Sequence, residues 1–368
     1  MSTRIFYPAY ALQVGPSPAT GFQWNTGFND VYTGANSGIN LIQNLQRLQS
    51  ITNGLSQDRT TINQMGQLPF VSREITTPPT VNLGCSYYVA DLSNERILGF
   101  YVSGDQGAIG PILDQTQATK NYFISISPQG TDNIGYTGVA RDVELISNGQ
   151  LASWSTEGSV GNIPTTTVAI QGLNYATYTG SNFQELLAID VGNAGNYVTS
   201  KYFTLPTTSS GIAPTVAALR PNDISIDISN AAIGLQISDL KAQSYSVSFD
   251  LNVQPLTKLG SIYPYAIEPT FPVTLSASAS FYMGDLITGS YKSVLCADSP
   301  YNVSIRLNDP CGAGEAVAFE LRGVKVDSQS FDSQDIGSIA GVVNLAWSTQ
   351  LGSATSTSAN LFMSGRNI

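Results

Sequence analysis

The sequence predicts an all-β protein with minor α content, in which one domain occurs twice in tandem. Apolar and polar residues alternate with strand-like spacing between turn-forming residues, and one stretch of sequence recurs 194 positions later. The chain contains 34 Gly, 18 Pro and 18 Tyr, a composition typical of strands joined by turns.

The composition favours a protein whose surface is covered by other subunits. At 368 residues the chain is long for one core, so two domains are expected. Apolar residues make up 42%, which excludes a disordered chain. Charged residues make up only 11%, against about 25% in an ordinary soluble protein. Because its surface would have so few charges, an isolated monomer would be poorly soluble.

Two segments of the second half predict long antiparallel strands. In 243–253 the apolar positions are Tyr245, Val247, Phe249, Leu251 and Val253, and three serines, an aspartate and an asparagine alternate with them. In 271–283 the apolar positions are Phe271, Val273, Leu275, Ala277, Ala279, Phe281 and Met283. The alternate face is small, polar and mostly uncharged, whereas a solvent-exposed face would carry Lys and Glu. We expect this face to contact a neighbour or to line a hydrated pore.

The recurring stretch aligns 39–92 with 233–286 without a gap, and thirteen of these 54 positions are identical. A second match, at an offset of 193, joins "WST" at 154–156 with "WST" at 347–349 and Gly172 and Asn174 with Gly365 and Asn367. The recurring residues predicted to serve the fold or assembly are Gln49, Ser50, Gly66, Glu74, Pro78, Tyr88, Asp91 and Trp154 in the first copy and Gln243, Ser244, Gly260, Glu268, Pro272, Tyr282, Asp285 and Trp347 in the second.

These matches predict the domain boundaries. The first domain covers 1–174 and includes an N-terminal arm, the connector covers 175–219, and the second domain covers 220–368. The connector contains "LPTTSSGIAPT", which is typical of a linker, beside "YVTSKYFTL", which could add a strand. The arm, residues 1 to about 30, either lies on an adjacent subunit or forms a first strand of its own domain.

The two copies resemble the tail tube proteins of tailed bacteriophages. The resemblance rests on Gln-Ser before an alternating strand, a turn ending in "QMG" or "KLG", a proline before a second strand, and the closing "NLAWSTQLGSATSTSANLFMSG". It covers about 39–174 and 220–368. It implies a β-barrel or sandwich domain with a small flanking helix, forming stacked rings of six domains around a DNA channel. Some long-tailed phages fuse two tube domains in one chain, so that three chains close such a ring.

No enzymatic chemistry is predicted. The chain has no histidine, which excludes Ser-His-Asp and Cys-His sites, and it has no P-loop. The glycine-rich "GDQGAIG" at 104–110 predicts a loop, and Glu74 with Glu268 is one repeated position, not a catalytic pair. The two tryptophans are expected in barrel packing; stacking on sugars or bases is the alternative. We expect no cofactor and no metal.

The three cysteines predict no disulfide framework. Cys85 falls on an apolar strand face and is expected to be a small buried residue. Cys296 and Cys311 are expected to be free thiols, with a disulfide across a hairpin as the alternative. No Cys-x-x-Cys and no histidine is present to hold zinc.

The sequence as a whole therefore predicts a structural virion protein. Its expected partners are further copies of itself, as a trimer forming a pseudo-hexameric ring stacked into a tube, and other tail proteins. A net charge of −10 is compatible with viral DNA passing through without specific binding. Loops that differ between the copies would contact neighbouring rings. No membrane span is expected, and the location would be the virion tail, assembled in the host cytoplasm. Alternatives are a hub or tube initiator forming one trimeric ring, and a carbohydrate-binding tail-tip protein.

Overall fold

The structure is a computed structural model of the chain. It describes residues 9–16, 42–114, 119–128, 130–133, 142–178, 185–189, 197–204, 219–220, 224–230, 235–236, 242–260, 263–282, 300–308, 314–332, 342–353, 355–356 and 358–365. Predictions for Met283, Asp285, Cys296, Cys311 and most of the N-terminal arm lie outside these residues. The strand "AYALQVGP" at 9–16 is the described part of that arm.

The described residues form strands and two short helices. In the first half they are β1 (Ala9–Pro16), β2 (Gln43–Asn44), β3 (Leu48–Ser56), β4 (Arg59–Ile62), β5 (Ser72–Ile75), β6 (Thr80–Tyr88), α1 (Ser93–Leu98), α2 (Gly110–Leu113), β7 (Thr119–Ser127), β8 (Asp142–Ser159), β9 (Thr165–Gly172) and β10 (Asn174–Tyr178). The connector contains β11 (Glu185–Ile189) and β12 (Tyr197–Thr204). In the second half they are β13 (Ile224–Asn230), β14 (Leu235–Gln236), β15 (Ala242–Asp250), β16 (Gln254–Leu256), β17 (Ala266–Glu268), β18 (Thr274–Tyr282), β19 (Tyr301–Asn308), β20 (Glu315–Asp332), β21 (Val342–Gln350) and β22 (Asn360–Gly365).

The all-β prediction with minor α content is confirmed. Sixteen of the described strands join in one antiparallel sheet whose main path is β14-β13-β19-β20-β21-β18-β15-β8-β7-β1-β2. The short pairs β4-β5, β16-β17 and β11-β12 form separate two-stranded sheets. Within the described residues the large sheet closes no barrel. The added strand expected in the connector is β12, which pairs with β11.

The strand pairing of the first half recurs strand by strand in the second. The pairs β1-β2, β1-β7, β7-β8, β8-β9, β8-β10, β6-β9, β3-β6 and β4-β5 have the counterparts β13-β14, β13-β19, β19-β20, β20-β21, β20-β22, β18-β21, β15-β18 and β16-β17. Registers agree as well: Thr60 lies opposite Glu74, and Gln254 lies opposite Glu268, both 194 positions later. The duplication read from the sequence is therefore also present in the hydrogen bonding.

Irregularities of the backbone are repeated too. β3 and β15 each contain a bulge at the glutamine of the Gln-Ser pair, Gln49 and Gln243. β8 and β20 each contain a bulge, at residues 152 and 327. Asn148 of β8 and Gly323 of β20 both have positive φ, 49° and 72°. Because each bulge or positive φ occurs at one defined residue, these irregularities identify which residues of the two halves are structurally equivalent.

The second match of the sequence, at an offset of 193, is wrong. Trp154 lies in β8, opposite Val168 of β9, whereas Trp347 lies in β21, opposite Ala277 of β18. Because β21 is the counterpart of β9, the two tryptophans occupy different strands of the repeat. Gly172 likewise ends β9, and Gly365 ends β22, the counterpart of β10. The two "WST" segments are similar in sequence alone.

One hydrophobic core runs through both halves. The alternation predicted for 243–253 is confirmed from Tyr245 to Leu251, whose apolar residues are buried, but Val253 lies beyond β15 and is half-buried. In the next segment the prediction holds from Val273 to Phe281, but Phe271 is exposed because it precedes β18. Both tryptophans are fully buried, which confirms their packing role. Cys85 is buried as expected, and burial raises the pKa of its thiol to about 12.

Candidate assembly surface

Eight strands in the order β3-β6-β9-β8-β15-β18-β21-β20 present a continuous polar face. It consists of the residues that alternate with the buried ones, and we call it the polar face. On β15 and β18 it presents Ser244, Ser246, Ser248, Asp250, Thr274, Ser276, Ser278, Ser280 and Tyr282. On β6 and β9 it presents Thr80, Asn82, Gly84, Ser86, Tyr88, Thr165, Thr167, Ala169 and Gln171.

Charges on the polar face are few. Among the described side chains they are the exposed Glu157 of β8, Asp250 of β15 and Lys325 of β20. A face that binds the phosphates of nucleic acid needs clustered Lys and Arg. Hydroxyl groups instead bond to each other across strands: the oxygens of Ser50 and Ser86 lie 2.6 Å apart, and those of Ser244 and Ser280 also 2.6 Å. The polar face is therefore weakly charged and internally paired.

Two hairpins extend from one end of these strands. The first, residues 57–79, contains β4 and β5 and turns at Gly66; the second, residues 251–273, contains β16 and β17 and turns at Gly260. Both glycines have positive φ, +91° and +81°, a conformation that L-residues with side chains rarely adopt. The tight turn expected at the repeated glycine is thus present in both copies.

The hairpins expose apolar side chains at their tips. Met65 and Leu259 occupy equivalent positions just before the glycines and are fully exposed, at 101% and 104%. The other exposed apolar residues are Ile62, Leu68, Phe70, Val71 and Ile75 in the first hairpin and Leu256, Tyr265 and Phe271 around the second. Several exposed apolar side chains on one short hairpin are typical of contact sites for other proteins.

The opposite end of the same strands also exposes apolar side chains. Val160 and Ile163, in the turn that follows β8, are 60% and 43% exposed. Two hydrogen bonds between β8 and β15 show that this turn and the hairpins lie at opposite ends of the strands. At one end Val160 N donates to Gln243 O, and at the other end Leu251 N, where the second hairpin begins, donates to Ala152 O. A concavity of about 650 Å³ beside this turn is lined partly by Tyr88, Asn162 and Tyr245.

The two halves are joined by direct pairing of β8 with β15. Ser248 lies opposite Ser155 and Phe249 opposite Trp154, whose rings stack with centroids 5.7 Å apart. Phe100 and Phe319 complete the cluster, with centroids 5.9 and 5.8 Å from the indole. Four aromatic rings from both halves thus anchor the junction, beyond the energy of strand pairing.

The loop specific to the first copy strengthens this junction. The segment "GDQGAIG" at 104–110 is a loop as predicted, and α2 begins at its last residue. Ala108 N donates to Leu361 O at 2.7 Å, so the loop binds β22 of the second half. A Cβ on Gly107 would meet the Asn360 side chain at 2.2 Å, so only glycine fits there without a shift.

The predicted site residues are distributed over this surface. Glu74 and Glu268 are exposed on the hairpins, and Pro78 and Pro272 lie just before β6 and β18. Gln49 and Gln243 form bulges at the opposite end, and Tyr88 and Tyr282 end β6 and β18 on the polar face. Asp91 binds Arg47 at 3.3 Å. Trp154 and Trp347 belong to the core.

Sequence reasoning missed a buried carboxyl group at α1. Glu95 is 1% exposed and accepts a hydrogen bond from the Tyr87 hydroxyl at 2.9 Å. Burial raises the pKa of Glu95 to about 7, and the hydrogen bond from Tyr87 opposes that rise. The helix ends at Gly99, whose φ of 105° lets its N–H donate to Arg96 O. A lone Glu in "SNERIL" gives no sequence signal of burial.

The described residues show neither a metal centre nor a membrane helix. No group of three or more His, Cys, Asp and Glu side chains in this part of the chain is placed to hold a metal ion. Among the same residues, no helix has the length and apolarity that crossing a membrane requires. The features that remain are the polar face, the two apolar hairpin tips and the strand edges.

Comparisons with known proteins give weak structural likenesses. The sequence matches no protein-family model and no curated protein. The chain is similar to one in the cryo-EM structure of the anti-feeding prophage baseplate, with 15% identity over 42% of this chain and 99% of that chain and a TM-score of 0.32. It is also similar to one in the anti-feeding prophage cap, a tube-terminating cap, with 12% identity over 42% and 97% and a TM-score of 0.31. At these TM-scores neither likeness supports an argument about function.

Proposed function

We propose that this protein is a structural subunit of a phage tail or tail-like particle, and that it assembles into rings stacked as a tail tube. The observation that carries the proposal is the polar face, an eight-strand sheet surface with few charges that is built from two equivalent four-strand blocks. Such a face suits the wall of a hydrated channel. The protein would belong to the virion tail after assembly in the host cytoplasm.

The repeat supports ring formation. β3-β6-β9-β8 and β15-β18-β21-β20 are equivalent blocks joined side by side. Contacts that repeat head to tail generate a ring when the rotation closes. Each chain would supply two of the wedges, and three chains would supply the six implied by the resemblance to tail tube proteins.

The apolar ends support stacking of rings. Met65 and Leu259 are exposed at one end of the strands, and Val160 and Ile163 at the other. A stack of identical rings needs one end surface of each ring to be complementary to the opposite end surface of the next. Burial of each Å² of apolar surface there contributes about 25 cal/mol. The two hairpins would therefore contact the next ring.

The charge of the polar face supports passage of DNA without binding. Glu157 and Asp250 are acidic and Lys325 is basic, in a chain of net charge −10. Affinity of proteins for DNA comes largely from Lys and Arg contacts with phosphates. A channel lined by hydroxyl groups would thus let the duplex slide.

Negative-stain microscopy and light scattering of the purified protein test the proposal. Long hollow tubes are the expected result. Isolated trimeric rings would instead favour a hub or tube initiator, and a monomer that binds sugar would favour a carbohydrate-binding tip protein. A protein that stays monomeric in every buffer, protein concentration and salt condition would contradict self-assembly.

A further inference from the structure

The junction between β8 and β15 provides a template for a contact between chains. Residues 153–159 of β8 pair with 250–244 of β15 on one side, and residues 150–157 pair with β9 on the other. The counterpart of β15 in the first half is β3, and the counterpart of β8 in the second half is β20. One outer edge of the eight strands is therefore formed by β3, the equivalent of β15, and the other by β20, the equivalent of β8.

Within the described residues, both of these outer strands have an open edge. β3 pairs with β6 and with no other strand, and its residues are mostly exposed. The end of β20 from Lys325 to Asp332 pairs on one side only, with β21. An open edge presents unpaired N–H and C=O groups that another chain can use.

We propose that β3 of one chain pairs antiparallel with the end of β20 of a second copy of this chain, in the register of the β8-β15 junction. The inference rests on the proposed self-assembly and specifies the edges that meet. Equivalent residues of β3 and β15 are 194 positions apart, as their bulges show, and equivalent residues of β8 and β20 are 175 positions apart. Ser248 opposite Ser155 therefore becomes Gly54 opposite Ser330 of the next chain.

The hydrogen bonds of the template also fix the type of each pair. Leu251 N donates to Ala152 O at 2.8 Å, and Val160 N donates to Gln243 O at 2.9 Å. Hydrogen-bonded pairs alternate with non-hydrogen-bonded ones along an antiparallel ladder, so Ser248 and Ser155 form a non-hydrogen-bonded pair. In such a pair the Cα atoms lie about 4.5 Å apart, within the range that a disulfide spans.

The contact between chains is less apolar than its template. The stacked rings of Trp154 and Phe249 are replaced by Gln329 and Leu55. Asn53, which stands where β15 has the buried Val247, binds the Glu144 carboxylate through its side-chain amide. The drift of β3 from its copy thus keeps the open edge polar before assembly, and the chains would separate before the two halves of one chain do.

Cysteine cross-linking in the full chain tests the edges and the register. The variant carries Gly54→Cys and Ser330→Cys. A Cβ at Gly54 meets no atom within 4 Å, so the change is tolerated. Mild oxidation is expected to give disulfide-linked dimers and trimers on non-reducing gels, reversed by dithiothreitol. A mixture of the two single variants should give dimers in excess of either variant alone.

Three controls bracket the result. Gly54→Cys with Ser328→Cys is out of register by two residues and should cross-link at least fivefold less. Ser155→Cys with Ser248→Cys should form a bond inside one chain and no oligomer. The unmodified chain measures the background from its own thiols, of which Cys85 is buried.

The outcomes separate this inference from the proposed function. Rings or tubes under reducing conditions without a Gly54–Ser330 cross-link would overturn the pairing and leave the tube proposal standing. Stronger linkage in the out-of-register variant would overturn the register. Absence of both assemblies and cross-links, while the intrachain Ser155–Ser248 bond forms, would overturn the proposed function and this inference together.

Discussion

At the scale of single residues, the repeated glycine has the conformation that the sequence implied. Gly260 has a φ of +81° at the tip of the second hairpin, and a Cβ there would meet no atom within 4 Å. A side chain would therefore strain only the local backbone, by about 1–2 kcal/mol. The core lies elsewhere, so the fold should tolerate that strain.

We expect Gly260→Val to impair assembly far more than folding, because it would reshape a loop that the proposed tube places at a contact between rings. Circular dichroism should show a native spectrum, while microscopy should show few tubes. Gly130→Val is a matched control, since Gly130 has the same φ of +81° in open space outside the hairpins. Unfolding of Gly260→Val, or equal loss of assembly in the control, would contradict a role for the hairpin.

Glu95 makes stability depend on pH. Its pKa is raised to about 7 in the folded chain, from an ordinary 4.5. Between these values the folded state retains a proton that the unfolded state has lost, so the free energy of unfolding falls as pH rises. The stabilising contribution is complete below about pH 4.5 and is lost as pH rises through about 7.

The variant Glu95→Gln isolates this effect, because glutamine does not titrate and still offers an oxygen to the Tyr87 hydroxyl. Urea unfolding measures the free energy of unfolding at pH 5 and at pH 8. That free energy should fall between the two pH values in the parent chain, and the fall should be smaller by at least about 1 kcal/mol in the variant, since one pKa unit corresponds to about 1.4 kcal/mol. Equal pH dependence in both proteins would assign it to other groups.

At the scale of elements, the hairpins are strand pairs without a core of their own. β4-β5 and β16-β17 are separate two-stranded sheets, and isolated hairpins are marginally stable in water. Their apolar tips give them little to pack against within the chain. Contact with another subunit would supply the missing burial.

Replacing both tips, as Met65→Ser with Leu259→Ser, should abolish tubes and leave rings. The side chains are fully exposed, so the melting temperature of the monomer should change by less than about 2 °C, since surface changes are usually within 0.5 kcal/mol. Microscopy distinguishes rings from tubes. The control Tyr10→Ser removes an exposed side chain of β1, 52% exposed, and should leave tubes intact. Normal tubes from the double variant would exclude the tips from stacking.

The strand edges explain why the copies have drifted apart. Val247 of β15 is fully buried in a strand that pairs on both sides, with β8 and β18, whereas the equivalent Asn53 lies on β3, which pairs only with β6 among the described residues. Burial against another half selects apolar residues, and exposure before assembly selects polar ones. The difference between Val247 and Asn53 therefore corresponds to an inner and an outer position of one repeated strand.

At the scale of the whole molecule, the two repeats share one core. Trp154 of the first half packs on Phe249 and Phe319 of the second. The predicted boundary at 174 rested on the incorrect second match and falls at the start of β10 (Asn174–Tyr178), the counterpart of β22. As limits of independent units, the boundaries at 174 and 220 stay a prediction. A continuous core favours unfolding of both halves together.

Trp154→Ala should lower the free energy of unfolding by about 3–5 kcal/mol, the range for loss of a buried aromatic side chain. Far-UV circular dichroism and tryptophan fluorescence should report one coincident transition. Trp347→Ala, which alters a fully buried residue of the other half, should shift the same transition. Two separate transitions, with each variant affecting only one, would show that the halves fold independently.

The sequence by itself determined the local structure: the alternating faces of β15 and β18, the turn glycines, and the first part of the repeat, where 194 positions separate equivalent residues without a gap. It failed where the copies differ in loop length, because the offset becomes 175 in β8 and β20 and a gap-free match then joined Trp154 to Trp347. Only the tertiary structure decided that β8 pairs with β15 and that, among the described residues, their counterparts β20 and β3 each keep one open edge. Alternation and turns are properties of neighbouring residues, whereas strand pairing joins residues far apart, and their register is set by packing in the shared core.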